Sequence, residues 1–206
     1  MEQILQERQI DWLLHFTQAE NLPNIFKYGL LPKTELIERN IAVYTNDQYR
    51  YDECENAICM SIEFPNYKMF YSLRKENPDI DWAVLLINAS VLLDFDCAFC
   101  TTNAGSAESY SIPIEKRKGI LAFQNLFDEY PGKPTRKEMN IKNWHPTNPQ
   151  AEVLVFEKVP ITYIAKVFFQ NNRTMDEYSS YIPDCTETIS KPKAFGYRYD
   201  WMHWQR

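Results

Sequence analysis

The sequence predicts an α+β domain on a mixed or antiparallel sheet. Two observations predict it. The apolar runs rich in β-branched and aromatic residues are short, and long irregular segments separate them. Hydrophobic residues make up 45% and aromatic residues 15% of the 206 residues, a composition that builds a core. That length suits one domain, residues 1–206, with an aromatic tail over residues 171–206 packing on it.

Residues 2–9 read as a short amphipathic helix or arm. Trp12-Leu13-Leu14-His15-Phe16 reads as the first strand, ended by Thr17. Residues 19–28 carry Leu22, Ile25 and Phe26 at helical spacing, and Gly29 is suited to stop that helix. Residues 34–39 form a second helical piece or a loop. Residues 40–59 are mostly polar and irregular and carry Arg50. At their end Ile58-Cys59-Met60-Ser61-Ile62 reads as a strand, followed by a turn at Phe64-Pro65-Asn66-Tyr67 and a helix over 68–74. Trp82-Ala83-Val84-Leu85-Leu86-Ile87-Asn88 is the clearest central strand. A short helix over 90–93 leads into a strand over 95–99. Residues 101–111 are a loop and 118–127 a helix. Residues 130–150 form a long loop with Pro131, Pro134, Pro146 and Pro149. A structureless stretch of that length inside a compact domain is usually functional. Strands follow at Glu152-Val153-Leu154-Val155-Phe156 and over residues 164–169. The tail is polar from Gln170, then aromatic through Phe195, Tyr197, Tyr199, Trp201 and Trp204.

Several function classes are disfavoured. Glycine is scarce, only 5, and no Gly-rich phosphate loop occurs. The N-terminus is polar, and no run approaches the roughly 18 apolar residues of a membrane span, so the expectation is a cytoplasmic protein. A net charge of −6 argues against indiscriminate coating of nucleic acid. It leaves room for a local basic groove from Lys116-Arg117-Lys118, from Arg136, Lys137 and Lys142, or from residues 191–198. The 5 cysteines are an odd count that suits reduced structural thiols. Cys97-Ala98-Phe99-Cys100 lacks a tight second pair, so no zinc site is expected.

Three features can carry chemistry. Glu152 stands where the Pro-rich loop enters a strand, a position that needs solvent or a role. Its bland reading is a solvated strand end. His15-Phe16-Thr17 sets an imidazole beside a hydroxyl, able to bond a ribose or carboxamide; the bland reading is a core histidine. Arg50 can clamp a phosphate bidentately, or simply face solvent.

Taken together, His15-Phe16-Thr17 with Asn21-Leu22, Ile25 and Gly29-Leu30, then Pro149-Gln150-Ala151-Glu152-Val153-Leu154-Val155 and Val159-Pro160 with Ile164, resemble the DarT family. These are bacterial toxins that ADP-ribosylate bases in single-stranded DNA, paired with a macrodomain-type or NADAR-type antitoxin. The resemblance covers about residues 11–170. It implies the ADP-ribosyltransferase fold, a split β core around an NAD cleft with flanking helices, and NAD as co-substrate without a metal. By resemblance His15, Phe16 and Thr17 bind nicotinamide and its ribose, and Asn24, Gly29 and Leu30 border the NAD site. Arg50 contacts NAD and aids catalysis, and Glu152 is the catalytic glutamate. The loop 136–150 recognises DNA, with Arg136 and Lys142 on the strand and Trp144 and His145 stacking on a base. Trp144 has an alternative role as an anchor pinning the loop to the core. One stretch departs from the thymidine-modifying branch: residues 58–71 lack its characteristic motif, which favours guanine as the accepting base. Acceptors in RNA or protein, a 2′-phosphotransferase, and an inactive nucleotide-binding module are the competing readings.

Overall fold

The computed structural model describes residues 1–44 and 54–205. Among them seven strands form one sheet: β1 (Trp12–Gln18), β2 (Ile58–Ile62), β3 (Trp82–Asn88), β4 (Cys97–Cys100), β5 (Glu152–Val155), β6 (Ile164–Phe169) and β7 (Glu187–Ser190). Their order is β4-β5-β2-β1-β3-β6-β7. All neighbours run antiparallel except β6 and β7, which are parallel, so the sheet is mixed. The helices are α1 (Glu2–Arg8), α2 (Leu22–Tyr28), α3 (Lys33–Glu38), α4 (Tyr67–Glu76), α5 (Val91–Asp94), α6 (Ala107–Tyr110), α7 (Gly119–Asn125) and α8 (Asn172–Tyr178).

The continuous apolar run of β3 follows from burial on both faces. On one face Leu13, Leu85, Ile87, Val167 and Phe169 pack with Leu22, Ile25 and Phe26 of α2 and Phe123 of α7. On the other, Leu14, Val84, Leu86 and Phe168 pack with Phe70 of α4 and Phe195 of the tail. Each such side chain, removed from water, contributes about 1.5–3 kcal/mol.

Some elements differ from the sequence expectation. Residues 19–21 are a 3-10 turn, and the α-helix starts beside Pro23, which lacks the N–H that a helix interior needs. The strand expected over 95–99 is Cys97–Cys100. The loop expected over 101–111 contains α6, whose N-cap Ser106 accepts from Ser109 N. The polar start of the tail folds as α8, capped by Asn171. The tail then adds β7, an edge strand.

The sheet is split. All seven residues of β1 pair with β3. Against β2, β1 pairs only through Leu13–Ile62 and Leu14–Ser61. Beyond Leu14 the two strands part, and Cys59 and Met60 of β2 pair with β5 instead. His15 crosses the gap, its Nδ1 donating to the Cys59 carbonyl at 2.9 Å.

After α2 the chain turns at Gly29, whose φ of 88° and ψ of 177° suit glycine alone. Leu30 then pairs with Val159 through N–H···O bonds of 2.9 Å in each direction. A Cβ on Gly29 stands 2.8 Å from the Val159 carbonyl oxygen. Gly29→Ala is therefore expected to lower stability by about 1–3 kcal/mol. Urea denaturation reads this directly, and an unmoved midpoint counts against it.

Candidate active site

Glu152 opens β5 and is buried. Its strand parity puts it on the side of Leu154, where Ala104 packs. Asn66 Nδ2 donates to Oε1 at 3.2 Å and Asn103 Nδ2 to the same oxygen at 3.1 Å. The backbone N–H of Ala104 donates to Oε2 at 2.8 Å. Neither asparagine is free to flip its amide. Asn66 Oδ1 caps α4 by accepting from Met69 N at 3.3 Å, and Asn103 Oδ1 accepts from Gly105 N at 3.0 Å. Each oxygen is thus committed to backbone, which leaves each NH2 aimed at the carboxylate. This fixed set of donors orients Glu152 before any ligand arrives.

Glu152 borders a cavity of about 530 Å³, a size typical of small-molecule sites. His15, Phe16 and Thr17 of β1 line it, as do Asn24, Gly29 and Leu30 on and after α2. The Asn21 amide donates to Thr17 Oγ1 at 2.9 Å, fixing the hydroxyl, and also to the Tyr44 carbonyl at 2.9 Å. The bond from His15 to Cys59 places the His15 proton on Nδ1. Asn24 Nδ2 donates to the Ala42 carbonyl at 2.9 Å. Phe16 stacks on Phe70, centroids 4.5 Å apart, on the α4 side. Ile25, Ile58 and Met60 give the cavity apolar walls beside these polar groups. Arg50 lies outside the described residues.

The loop ahead of Glu152 is different from an open recognition loop. Residues 145–149 are buried. Arg198 in the tail holds them from beneath. Its Nη1 donates to the Pro146 carbonyl at 2.8 Å and its Nη2 to the Thr147 carbonyl at 2.9 Å. Asp200 accepts from Arg198 Nε and Nη2, both at 2.6 Å, and from Trp204 Nε1 at 2.9 Å. Arg198 and Asp200 are each 2% exposed. Arg136 holds the loop internally, donating to the carbonyls of Lys142 and His145 and to Thr147 Oγ1.

This arrangement corrects the stacking role expected of His145. Its ring is buried, edge-on to Phe64 and tilted against Tyr199, and does not line the cavity. Trp144 packs on the main core, the anchoring alternative. Lys142 alone of the four expected DNA contacts stands at the surface, its Nζ 5.9 Å from the Tyr199 ring centre.

Burial holds the His145 pKa down, to about 3, with the nearby Arg198 guanidinium adding to the effect. The sign follows. In the unfolded chain the ring takes a proton below about 6.5, and in the folded chain it refuses one until about 3. Stability therefore falls with pH across that window, by about 2 kcal/mol at pH 5. Melting curves from pH 7 to pH 5 should show this loss and His145→Phe should flatten it; parallel profiles count against it.

Cys97 and Cys100 sit on β4 facing opposite sides of the sheet. Burial pushes their thiols up, to about 12 and about 11, so both stay protonated and structural. Among the described residues no group of three or more His, Cys, Asp and Glu is placed to hold a metal ion. Nor is any helix there long and apolar enough to cross a membrane.

The sequence alone does not single out Asn66 and Asn103, which bond Glu152, or the anchoring of the Pro146 and Thr147 carbonyls by Arg198. The only available signal was the spacing of Asn66 from Met69, which matches a helix N-cap.

The split mixed sheet, with a buried carboxylate at the cleft, agrees with the ADP-ribosyltransferase fold that the resemblance implies. The chain belongs to the DarT family: a family model described as "ssDNA thymidine ADP-ribosyltransferase, DarT" matches residues 14–196. Among solved structures it is similar to Thermosipho africanus DarTG in complex with ADP-ribose, with a TM-score of 0.63 and 18% identity, covering 89% of this chain and 50% of that one. It is also similar to Thermus sp. 2.9 DarT in complex with NAD+, with a TM-score of 0.55 and 13% identity, covering 90% of this chain and 97% of that one. The same Thermus protein in complex with ADP-ribosylated ssDNA matches with a TM-score of 0.54 and 13% identity, over 91% of this chain and 97% of that one. At these identities the likeness shows the fold. The chain spans half the length of the Thermosipho protein. No curated protein matches the sequence.

Proposed function

We propose that this chain transfers ADP-ribose from NAD to a base in single-stranded DNA, releasing nicotinamide. The observation that carries this reading is that Glu152 and His15-Phe16-Thr17 line one cavity, opened where β1 parts from β2. Family membership supports it, as do the NAD+ and ADP-ribosylated ssDNA named for the Thermus structures.

The chemistry suits these groups. The bond from ribose to nicotinamide nitrogen breaks, and nicotinamide leaves as a neutral amide with the bonding electron pair. Positive charge develops on the ribose and is stabilised by the oriented Glu152 carboxylate. A ring or amino nitrogen of the base forms the new bond and gives its proton to Glu152 as general base. Thr17, held by Asn21, and His15 are set to bond the nicotinamide ribose and carboxamide. Asn24, Gly29 and Leu30 border the rest of the dinucleotide, and Arg50 takes a phosphate or steadies the reacting groups. The target base must leave its stack to be reached, which favours a single strand.

The accepting base in this reading is guanine rather than thymine. The stretch 58–71 departs from the thymidine-modifying motif, and it borders the site through Ser61, Met69 and the Asn66 bond to Glu152. We also read the chain as the toxin of a toxin–antitoxin pair, opposed by a macrodomain-type or NADAR-type antitoxin that removes the mark; the DarTG name of the Thermosipho protein supports this.

Labelled NAD is incubated with single-stranded oligonucleotides of each base composition, with RNA and with total protein, and products are digested for mass spectrometry of nucleosides. ADP-ribosyl-guanosine from DNA is the expected product. A thymidine adduct overturns the base assignment, and label on RNA or protein alone overturns the DNA reading.

A further inference from the structure

Three of the exposed aromatic residues among those described gather on one surface beside the site. Tyr71 of α4 is 41% exposed, and Tyr197 and Trp201 of the tail are 47% and 37% exposed. Tyr197 stacks on Trp201 with centroids 5.3 Å apart and planes 25° apart, and Tyr71 leans on Tyr197 at 5.3 Å. Buried Arg198, between them in sequence, fastens this segment to the loop that leads to Glu152. The surface adjoins the cavity through one helix. In α4, Tyr67 meets Tyr197 edge-on at 5.7 Å, while Met69 lines the cavity. Asn66, immediately before α4, bonds Glu152. Platform and cavity thus stand about one helix diameter apart, ~10 Å.

A lysine stands beside the rings in a chain of net charge −6. Lys68 of α4, next to Tyr67, donates from Nζ to the Trp204 carbonyl at 3.2 Å, at the end of the turn that carries Trp201. A protein interior gains nothing from rings left this exposed, and a purely electrostatic surface needs no stacked rings. Aromatic faces alternating with cations are the chemistry that takes unstacked bases and their phosphates.

We infer that Tyr71, Tyr197 and Trp201, with Lys68 beside them, form a stacking platform for nucleotides flanking the target base in a single strand. This rests on the DNA reading above and assigns the strand's path outside the cavity.

The test measures initial rates of transfer from NAD to a single-stranded oligonucleotide about a dozen nucleotides long and to a trinucleotide carrying the same acceptor. The proteins are wild type, the double variant Tyr197→Ala/Trp201→Ala, and Tyr197→Phe/Trp201→Phe. Circular dichroism checks that each is folded. The expected result is that the alanine variant raises KM for the longer strand at least fivefold, leaves KM for the trinucleotide within twofold, and that the phenylalanine variant restores the longer-strand value. An unchanged KM for the longer strand in a folded alanine variant overturns the platform while transfer by wild type keeps the DNA reading, and it leaves the surface to a protein partner. Equal loss on both acceptors overturns it as well, since it marks a structural effect on the site. Absence of transfer by wild type to any DNA removes the DNA reading and the platform with it.

Discussion

Glu152→Ala is expected to leave the chain folded and to lower transfer by at least about 10²–10³-fold. The carboxylate is the one charged group in the cleft that three fixed N–H donors orient, from Asn66, Asn103 and Ala104. Removing it leaves those donors facing a cavity that Asn103 and Ala104 themselves line, so water can meet them. Glu152→Gln makes a sharper comparison. An amide has one acceptor and one donor, while both asparagines are committed by their own oxygens and cannot turn to accept. One N–H must therefore face another, which costs about 1–3 kcal/mol. Glutamine should be as inactive as alanine and no more stable. A fully active glutamine variant removes Glu152 from catalysis. An alanine variant that does not fold makes it structural.

Arg198→Ala is expected to cost about 3–5 kcal/mol. The guanidinium spans Asp200 and two backbone carbonyls of the loop, all away from water. Its loss strands the buried Asp200 charge, to which the Trp204 indole still donates. Lysine does not repair this, because one ammonium cannot reproduce a planar fork reaching three residues. Replacing both partners together, Arg198→Met/Asp200→Leu, should recover a large part of the loss, since no buried charge is then left alone. Denaturant titration of the three variants checks the order. If Arg198→Ala is as stable as wild type, the tail is not fastened to the loop in the way the structure describes.

The parts of this fold legible in sequence are those set by short-range pattern. Leu85 and Ile87 against Val84 and Leu86 show a strand covered on both sides, and the structure covers it so. Gly29 marks the end of α2 because only glycine accepts that backbone. By contrast β7 is four residues, Glu187–Ser190, polar and at the edge, and it offers no apolar run to read. The loop before Glu152 looked open because prolines and polar residues prefer the surface. Its last stretch, residues 145–149, is buried, and Arg198, some fifty residues later, satisfies the carbonyls of Pro146 and Thr147 there. The position of Glu152 at the start of a strand after that loop is legible, and the structure places it there. The asparagines that aim it were not, because a single Asn in a turn reads as turn chemistry whatever its amide points at.

The split between β1 and β2 also bears on how this site tolerates change. Glu152 rides on the half-sheet of β4, β5 and β2, and His15 to Thr17 ride on the half that holds β1, β3, β6 and β7. Along the strands themselves the two halves meet at two residue pairs and across one imidazole, and one continuous core lies beneath both. The width of the gap is therefore set by the packing of the core that both halves share. A methyl group added or removed deep beneath one half, far from any ligand, resets the gauge of the whole cleft.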